Sequence, residues 1–143
     1  MIAVDTNILV YAHRGDSPFH ERAAAVIASL VNDVARWTVP WPCFHEFVAV
    51  ATKPIYLPPT RLDQALEAVA RWLEIPNLAP IGEQTEYWSV LRRLAMTGNA
   101  SGSRIHDARI AAICLQHGVS ELWSADRDFG RFPALKVVNP LVR

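Results

Sequence analysis

Short apolar runs alternate along this chain with longer stretches whose apolar residues recur at helical spacing, and that alternation restricts the fold more than any other feature. The first run is Met1-Ile2-Ala3-Val4, and Trp37-Thr38-Val39, Leu78 to Ile81, Glu121-Leu122-Trp123 and Lys136-Val137-Val138 follow it. Each has the length of a strand and is too short for a helix. Between them Phe19, Ala23, Val26, Ile27, Leu30 and Val31 form one helical stripe, and Tyr87, Val90, Leu91 and Leu94 another. A third stripe, Leu62, Leu66, Val69 and Leu73, has the spacing of one helix face, with the core as one of its two readings. Residues 43–52, opened by Pro42, and residues 105–116, stopped by Gly118, read as two further helices. Strands that alternate with helices predict an α/β fold with a mainly parallel central sheet of about four or five strands. The wholly apolar first strand is expected at its centre, with Asp5-Thr6-Asn7 behind it as a turn or cap.

At 143 residues the chain is the size of one domain, taken here as residues 1–143. The one conspicuous linker is the stretch around residues 54–60, which carries Pro54, Pro58 and Pro59. Acids and bases balance at 14 each, so no basic excess points to sequence-independent coating of nucleic acid, although a nucleic-acid substrate stays compatible with neutrality. Only Lys53 and Lys136 are lysines, and the remaining basic residues are arginines, whose forked guanidinium suits phosphate and carboxylate partners. Cys43 and Cys114 lie in apolar runs without C-x-x-C spacing and read as buried free thiols. No basic leader or long apolar span stands out, which makes a cytoplasmic protein the expectation.

Five acids stand at junctions of these elements. Asp5 ends the first strand, where capping explains it as well as ligand binding does. Glu46 lies on a helix with Phe44, Phe47 and Val48, either as part of a solvated face or as an acid that needs a partner. Asp107 opens an apolar helix, where the helix dipole and a ligand are equally good reasons for it. Asp126 and Asp128 follow the Glu121–Trp123 run, where a turn is again the plain reading; Asp126 is nearer the strand end, and Asp128 is placed in a supporting shell or at a second cation. In a parallel sheet the exits of the strands before Asp5 and Asp126 share one edge, on which helices such as the one holding Asp107 also begin. Four uncompensated carboxylates gathered there would repel one another unless a hard cation joined them.

In Val4-Asp5-Thr6-Asn7, His45-Glu46-Phe47 with Thr52 and Pro54 downstream, Ile105-His106-Asp107-Ala108, and Ser124-Ala125-Asp126-Arg127-Asp128-Phe129, the chain resembles PIN-domain ribonucleases, specifically the VapC toxins of toxin–antitoxin pairs. The resemblance spans nearly the full length, and its specificity lies in the order and spacing of the motifs. It implies a metal-dependent endoribonuclease in which Asp5, Glu46, Asp107 and Asp126 hold Mg²⁺ or Mn²⁺ and Asn7 and Ser124 support them. Ser124 stands where threonine is also common, so a hydroxyl is retained. It further implies an RNA substrate, a small cognate antitoxin and a homodimer, with the Leu62 to Leu73 stripe as an alternative groove for an antitoxin helix or a dimer seam.

Hydrolysis of a phosphodiester needs activated water and neutralised phosphorus oxygens, which hard cations supply. With one cation Asp5 and Asp107 are the first choices as ligands and Asp126 completes the set; with two, Glu46 and Asp126 share the load. Arg104, Arg109, Arg127 and Arg131 are candidates for drawing in the anionic RNA, and each is equally credible as a solvated or ion-paired residue. His106 is given a packing or substrate contact and no catalytic role, because adjacent helical residues point apart. Trp37, Trp41, Trp72 and Trp88 are assigned to the core or an interface ahead of base stacking. Two other readings stand beside the nuclease. One is a noncatalytic RNA- or protein-binding module whose acids are caps. The other is a phosphatase with Asp5 as nucleophile, which Asn7 weakens because that chemistry usually wants a second acid there.

Overall fold

Ala3 and Val4 have no exposed surface because the strand that holds them, β1 (Ile2–Val4), is paired on both sides. The computed structural model describes residues 1–142. On one side β2 (Trp37–Thr38) sets Trp37 opposite Ile2 and Thr38 opposite Ala3; on the other β3 (Glu121–Trp123) sets Trp123 opposite Val4. β4 (Val137–Val138) pairs with β3, every pairing is parallel, and the four-stranded order is β2-β1-β3-β4. The expectation of a parallel α/β sheet with a central first strand therefore holds, at the lower of the two strand numbers.

Residues 78–81 do not form a fifth strand. They touch the sheet only through isolated parallel bridges, Trp37 to Leu78 and Pro40 to Ile81. Backbone bonds still link the two segments, from Trp37 N–H to the Asn77 carbonyl, Ala79 N–H to the Trp37 carbonyl and Trp41 N–H to the Ile81 carbonyl, while the Ala79 carbonyl is taken by the Thr38 hydroxyl at 2.6 Å.

The helices fall into two packed groups. α1 (Thr6–His13) contacts α2 (His20–Asn32) and α3 (Trp41–Ala51), and α3 carries α4 (Leu62–Leu73). α5 (Tyr87–Thr97) packs on α6 (Ile105–Gln116), which is buried from Ile110 through Cys114. Behind β1 the cap alternative holds, but the helix it opens, α1, has no counterpart among the helices expected from the sequence. Its Ile8, Leu9 and Val10 are consecutive and all buried, so the segment shows no one-sided stripe. Its start is nevertheless well specified, since the Asp5 carboxylate accepts the Thr6 N–H at 2.8 Å.

α4 turns its leucines outward, as the groove alternative has it, and keeps Val69 of the stripe against the core. Leu62, Leu66 and Leu73 are 60, 52 and 39% exposed, while Ala65 is fully buried and Ala68 and Trp72 lean on the core. The alanines let the helix approach α3 closely, and Trp72 then meets Phe47 edge-on at 4.8 Å and Phe44 at 6.3 Å between ring centroids. Trp37 is buried as expected, whereas Trp41 and Trp88 stay largely exposed. Cys43 and Cys114 are free and buried. Among the described residues no helix is long and apolar enough to cross a membrane.

Candidate metal centre

The parallel register of β1 and β3 brings their carboxyl ends out side by side, and the ladder runs one residue further, with Asp5 N–H donating to the Trp123 carbonyl at 3.0 Å. Asp5 and Ser124 thereby become neighbours. Asp5 is only 4% exposed, yet both of its carboxylate oxygens have partners. Oδ1 accepts from Thr6 N–H at 2.8 Å and from the Cys43 thiol at 3.5 Å; Oδ2 accepts from Ser124 Oγ at 2.6 Å and from Asn7 Nδ2 at 3.3 Å. The Ser124 hydroxyl in turn accepts from Asn7 Nδ2 at 3.3 Å and from Asp126 N–H at 3.0 Å, which uses its one donor and both lone pairs. Asn7 Oδ1 completes the connection by accepting Ala125 N–H at 3.1 Å. Asn7 and Ser124 thus form one hydrogen-bonded network with Asp5.

The other acids arrive from three more elements. Glu46, on α3, accepts the Thr6 hydroxyl at 2.9 Å. Asp107 sits in the first turn of α6. Asp126 caps the 3₁₀ turn Arg127–Arg131 by accepting Asp128 N–H at 2.8 Å. Asp5, Glu46, Asp107 and Asp126 border one cleft of about 240 Å³, together with Thr6, Asn7, Val10, Tyr11, Val50 and Tyr56. Asp107, Asp126 and Asp128 each direct an oxygen into a space where all three lie within 4.8 Å of one another. Asp128 therefore stands beside Asp107 and Asp126.

No arginine or lysine balances this charge: among the described residues, none of the ion pairs includes any of the five acids. The consequence is visible in the protonation equilibria. Burial raises the Asp5 pKa to about 6, against the pull of its Ser124 and Thr6 hydrogen bonds and with the added repulsion of Glu46. Asp107 is also raised to about 6, by partial burial first and then by the charges of Asp126, Asp5, Asp128 and Glu46. Asp107 senses every other acid of the set, so the five form one electrostatic unit. An all-oxygen, anionic and unbalanced donor set of this kind suits a hard divalent cation.

The PIN domain family matches residues 2–135 of the chain. Ribonuclease VapC43 of Mycobacterium tuberculosis is 34% identical to it over 142 residues, covering 99% of this chain and 96% of that relative. The chain belongs to the VapC ribonucleases of the PIN-domain family. The crystal structure of the VapC20 toxin of Mycobacterium tuberculosis, described as cleaving the Sarcin-Ricin loop, superposes with a TM-score of 0.70 at 15% identity, covering 91% of this chain and 93% of that one. The VapBC-1 structure from nontypeable Haemophilus influenzae gives 0.69 at 18% identity over 99% and 100% of the two chains. At these identities the structural likeness establishes the fold.

Within this VapC-family frame the structure sorts the arginines. Arg109 is committed to Glu83 at 2.6 Å, and Arg131 donates to the Gly98 carbonyl at 3.2 Å. Arg104 and Arg127 are exposed and enter no ion pair among the described residues. His106 is exposed and does not line the cleft. Two contributors escaped the sequence reading. Thr6 links the start of α1 to Glu46, and a hydroxyl inside Asp-Thr-Asn is the signal that could have found it. Cys43 contacts Asp5 through an apolar helix that gave no such signal.

Proposed function

We propose that this VapC-family ribonuclease is a metal-dependent endoribonuclease, the toxin of a type II toxin–antitoxin pair. In this reading Asp5, Glu46, Asp107 and Asp126 hold Mg²⁺ or Mn²⁺, and Asp128 shares the load beside Asp107 and Asp126. The carrying observation is the convergence of these acids on one cleft with no cationic side chain among them. The chemistry a divalent cation supplies in such a site is neutralisation of phosphate oxygens and polarisation of the attacking water.

The chain's own contribution is orientation. Asp5 is immobilised by partners on both oxygens, Glu46 is aimed by Thr6, and Asp126 is held by the turn it caps. Arg104 and Arg127, beside Asp107 and Asp126 in sequence and in no ion pair among the described residues, draw the RNA backbone toward a cleft that would otherwise repel it. Asn7 is engaged with Asp5, Ser124 and Ala125, which leaves no second acid for a phosphatase mechanism at that position. Asp5 and Asp126 do act as caps, but a noncatalytic module has no use for the convergence of the remaining acids.

The same reading makes residues 1–143 one PIN unit, the compartment the cytoplasm, and the partner a small antitoxin. The exposed Leu62, Leu66 and Leu73 face of α4 is the surface available to an antitoxin helix or to a second copy. The test is cleavage of RNA by purified protein, silenced by EDTA and restored by Mg²⁺ or Mn²⁺. Asp5→Asn should abolish cleavage, because it removes a charge from the metal-holding set, while the far-UV dichroism stays that of the parent. Cleavage that persists in EDTA or in Asp5→Asn overturns the assignment.

A further inference from the structure

We propose that Tyr56 is the residue on which a base of the bound RNA stacks, and that the fold presents its ring ready for that contact. The inference rests on the ribonuclease reading above and deepens it, because the carboxylates account for the phosphate and leave the apolar part of the cleft without a role. Tyr56 lines that part with Tyr11, Val10 and Val50, in the same cleft as Asp5 and Asp107. Its immediate neighbours Ile55 and Leu57 project into solvent, so the loop between α3 and α4 turns this one aromatic residue inward.

The ring is braced from behind. The Arg14 guanidinium carbon lies 4.5 Å from the Tyr56 ring centroid, covering one face. Arg14 is only 12% exposed, and its position is set by hydrogen bonds to Asp16 at 2.9 and 2.7 Å and to Thr60 Oγ1 at 3.2 Å. Thr60 anchors the loop's far end to α3 through its N–H on the Ala51 carbonyl at 2.9 Å. A ring held this way loses little conformational freedom when a ligand arrives. Tyr11 is a poorer candidate, because its ring is packed on Phe19 with 5.0 Å between centroids. Tyr56 enters no aromatic pair among the described residues. Single-stranded RNA is recognised by stacking of unpaired bases on such side chains, and a neutral π-face in an acidic cleft accepts a base where it would reject a second phosphate.

The test separates base stacking from both loop integrity and catalysis. Cleavage-deficient Asp107→Asn protein is titrated with a labelled single-stranded RNA of random sequence and with an abasic ribose-phosphate strand of the same length. The parent is expected to prefer the RNA by about tenfold, the range for one stacked base. Adding Tyr56→Phe should keep that preference, and adding Tyr56→Ala should remove it. In otherwise unchanged protein Tyr56→Ala should raise KM and leave kcat nearly constant. A preference retained in Tyr56→Ala, lost equally in Tyr56→Phe, or absent from the parent overturns the proposal. Failure of the ribonuclease reading would appear separately, as absence of RNA cleavage by the unmutated protein with Mn²⁺, because the binding comparison needs no turnover.

Discussion

Ser124 and Asp5, 119 positions apart in the chain, are joined by a 2.6 Å hydrogen bond from the serine hydroxyl to Oδ2. The bond fastens the carboxyl end of β3 to that of β1, and it counters the burial that pushes Asp5 toward protonation. Because the same hydroxyl also accepts from Asn7 and Asp126, one side chain aligns two acids of the site.

Ser124→Ala should therefore destabilise the protein by about 1–3 kcal/mol, the range for leaving a buried charged acceptor and its neighbours short of a partner. It should also slow RNA cleavage, since Asp5 and Asp126 lose a shared reference point. Ser124→Thr keeps the hydroxyl and should restore both. Urea denaturation and initial rates measured on the three proteins check this, and a Thr variant as impaired as Ala would refute it.

Titration of Asp5 should stabilise the metal-free protein as pH falls from neutrality toward 5, against the smaller opposing contribution of half-buried His13, whose pKa burial lowers. The Asp5 pKa of about 6 lies above its ordinary 3.8, so between those values the folded state binds more protons than the unfolded chain. This strain is absent below about pH 4, grows as pH rises through that window, and is fully present above pH 6, amounting to about 3 kcal/mol for a buried group. Asp107 acts in the same direction but less, being more exposed. Metal should reverse the trend, because a cation binds the ionised carboxylates, so the gain in Tm on adding Mn²⁺ should be larger at pH 7 than at pH 5. Tm values with EDTA and with Mn²⁺ at the two pH values decide it.

Arg104→Ala and Arg127→Ala should each raise KM for RNA and lower the slope of log KM against log salt by about 0.7, the contribution of one phosphate contact on a single strand. Arg109→Ala should leave that slope unchanged and alter stability by about 1 kcal/mol or less, since its partner Glu83 forms a partly exposed pair. Equal slopes for all three variants would contradict the separation of free from committed arginines.

Leu66→Asp places a charge at an already exposed position of α4, so folding and RNA cleavage should be unaffected while capture of the antitoxin, or self-association, is lost. Size-exclusion chromatography with and without the product of the neighbouring reading frame reports the outcome. A variant that still binds its partner would clear α4 of that role.

Apolar runs, helical stripes and the start and stop signals at Pro42 and Gly118 were enough to determine the α/β class, the central first strand and the presence of α2 to α6, because each depends on local pattern. Pattern was silent at α1, where the continuous Ile8-Leu9-Val10 run carries no period, and left the facing of α4 open, where the leucines meet solvent and Ala65, Ala68, Val69 and Trp72 make the contact. The acids were visible individually, each with a cap as the simpler explanation. Asp5 shows why that choice could not be made from sequence. Its Oδ1 caps α1 while its Oδ2 joins the Ser124 network, so both readings are true of one side chain. What only the tertiary structure decided is the company these residues keep: the parallel register of β1 against β3 sets Asp5 beside Ser124, and the packing of α3 and α6 brings Glu46 and Asp107 to the same cleft. Those contacts join residues far apart in the chain, and local sequence pattern carries no record of them.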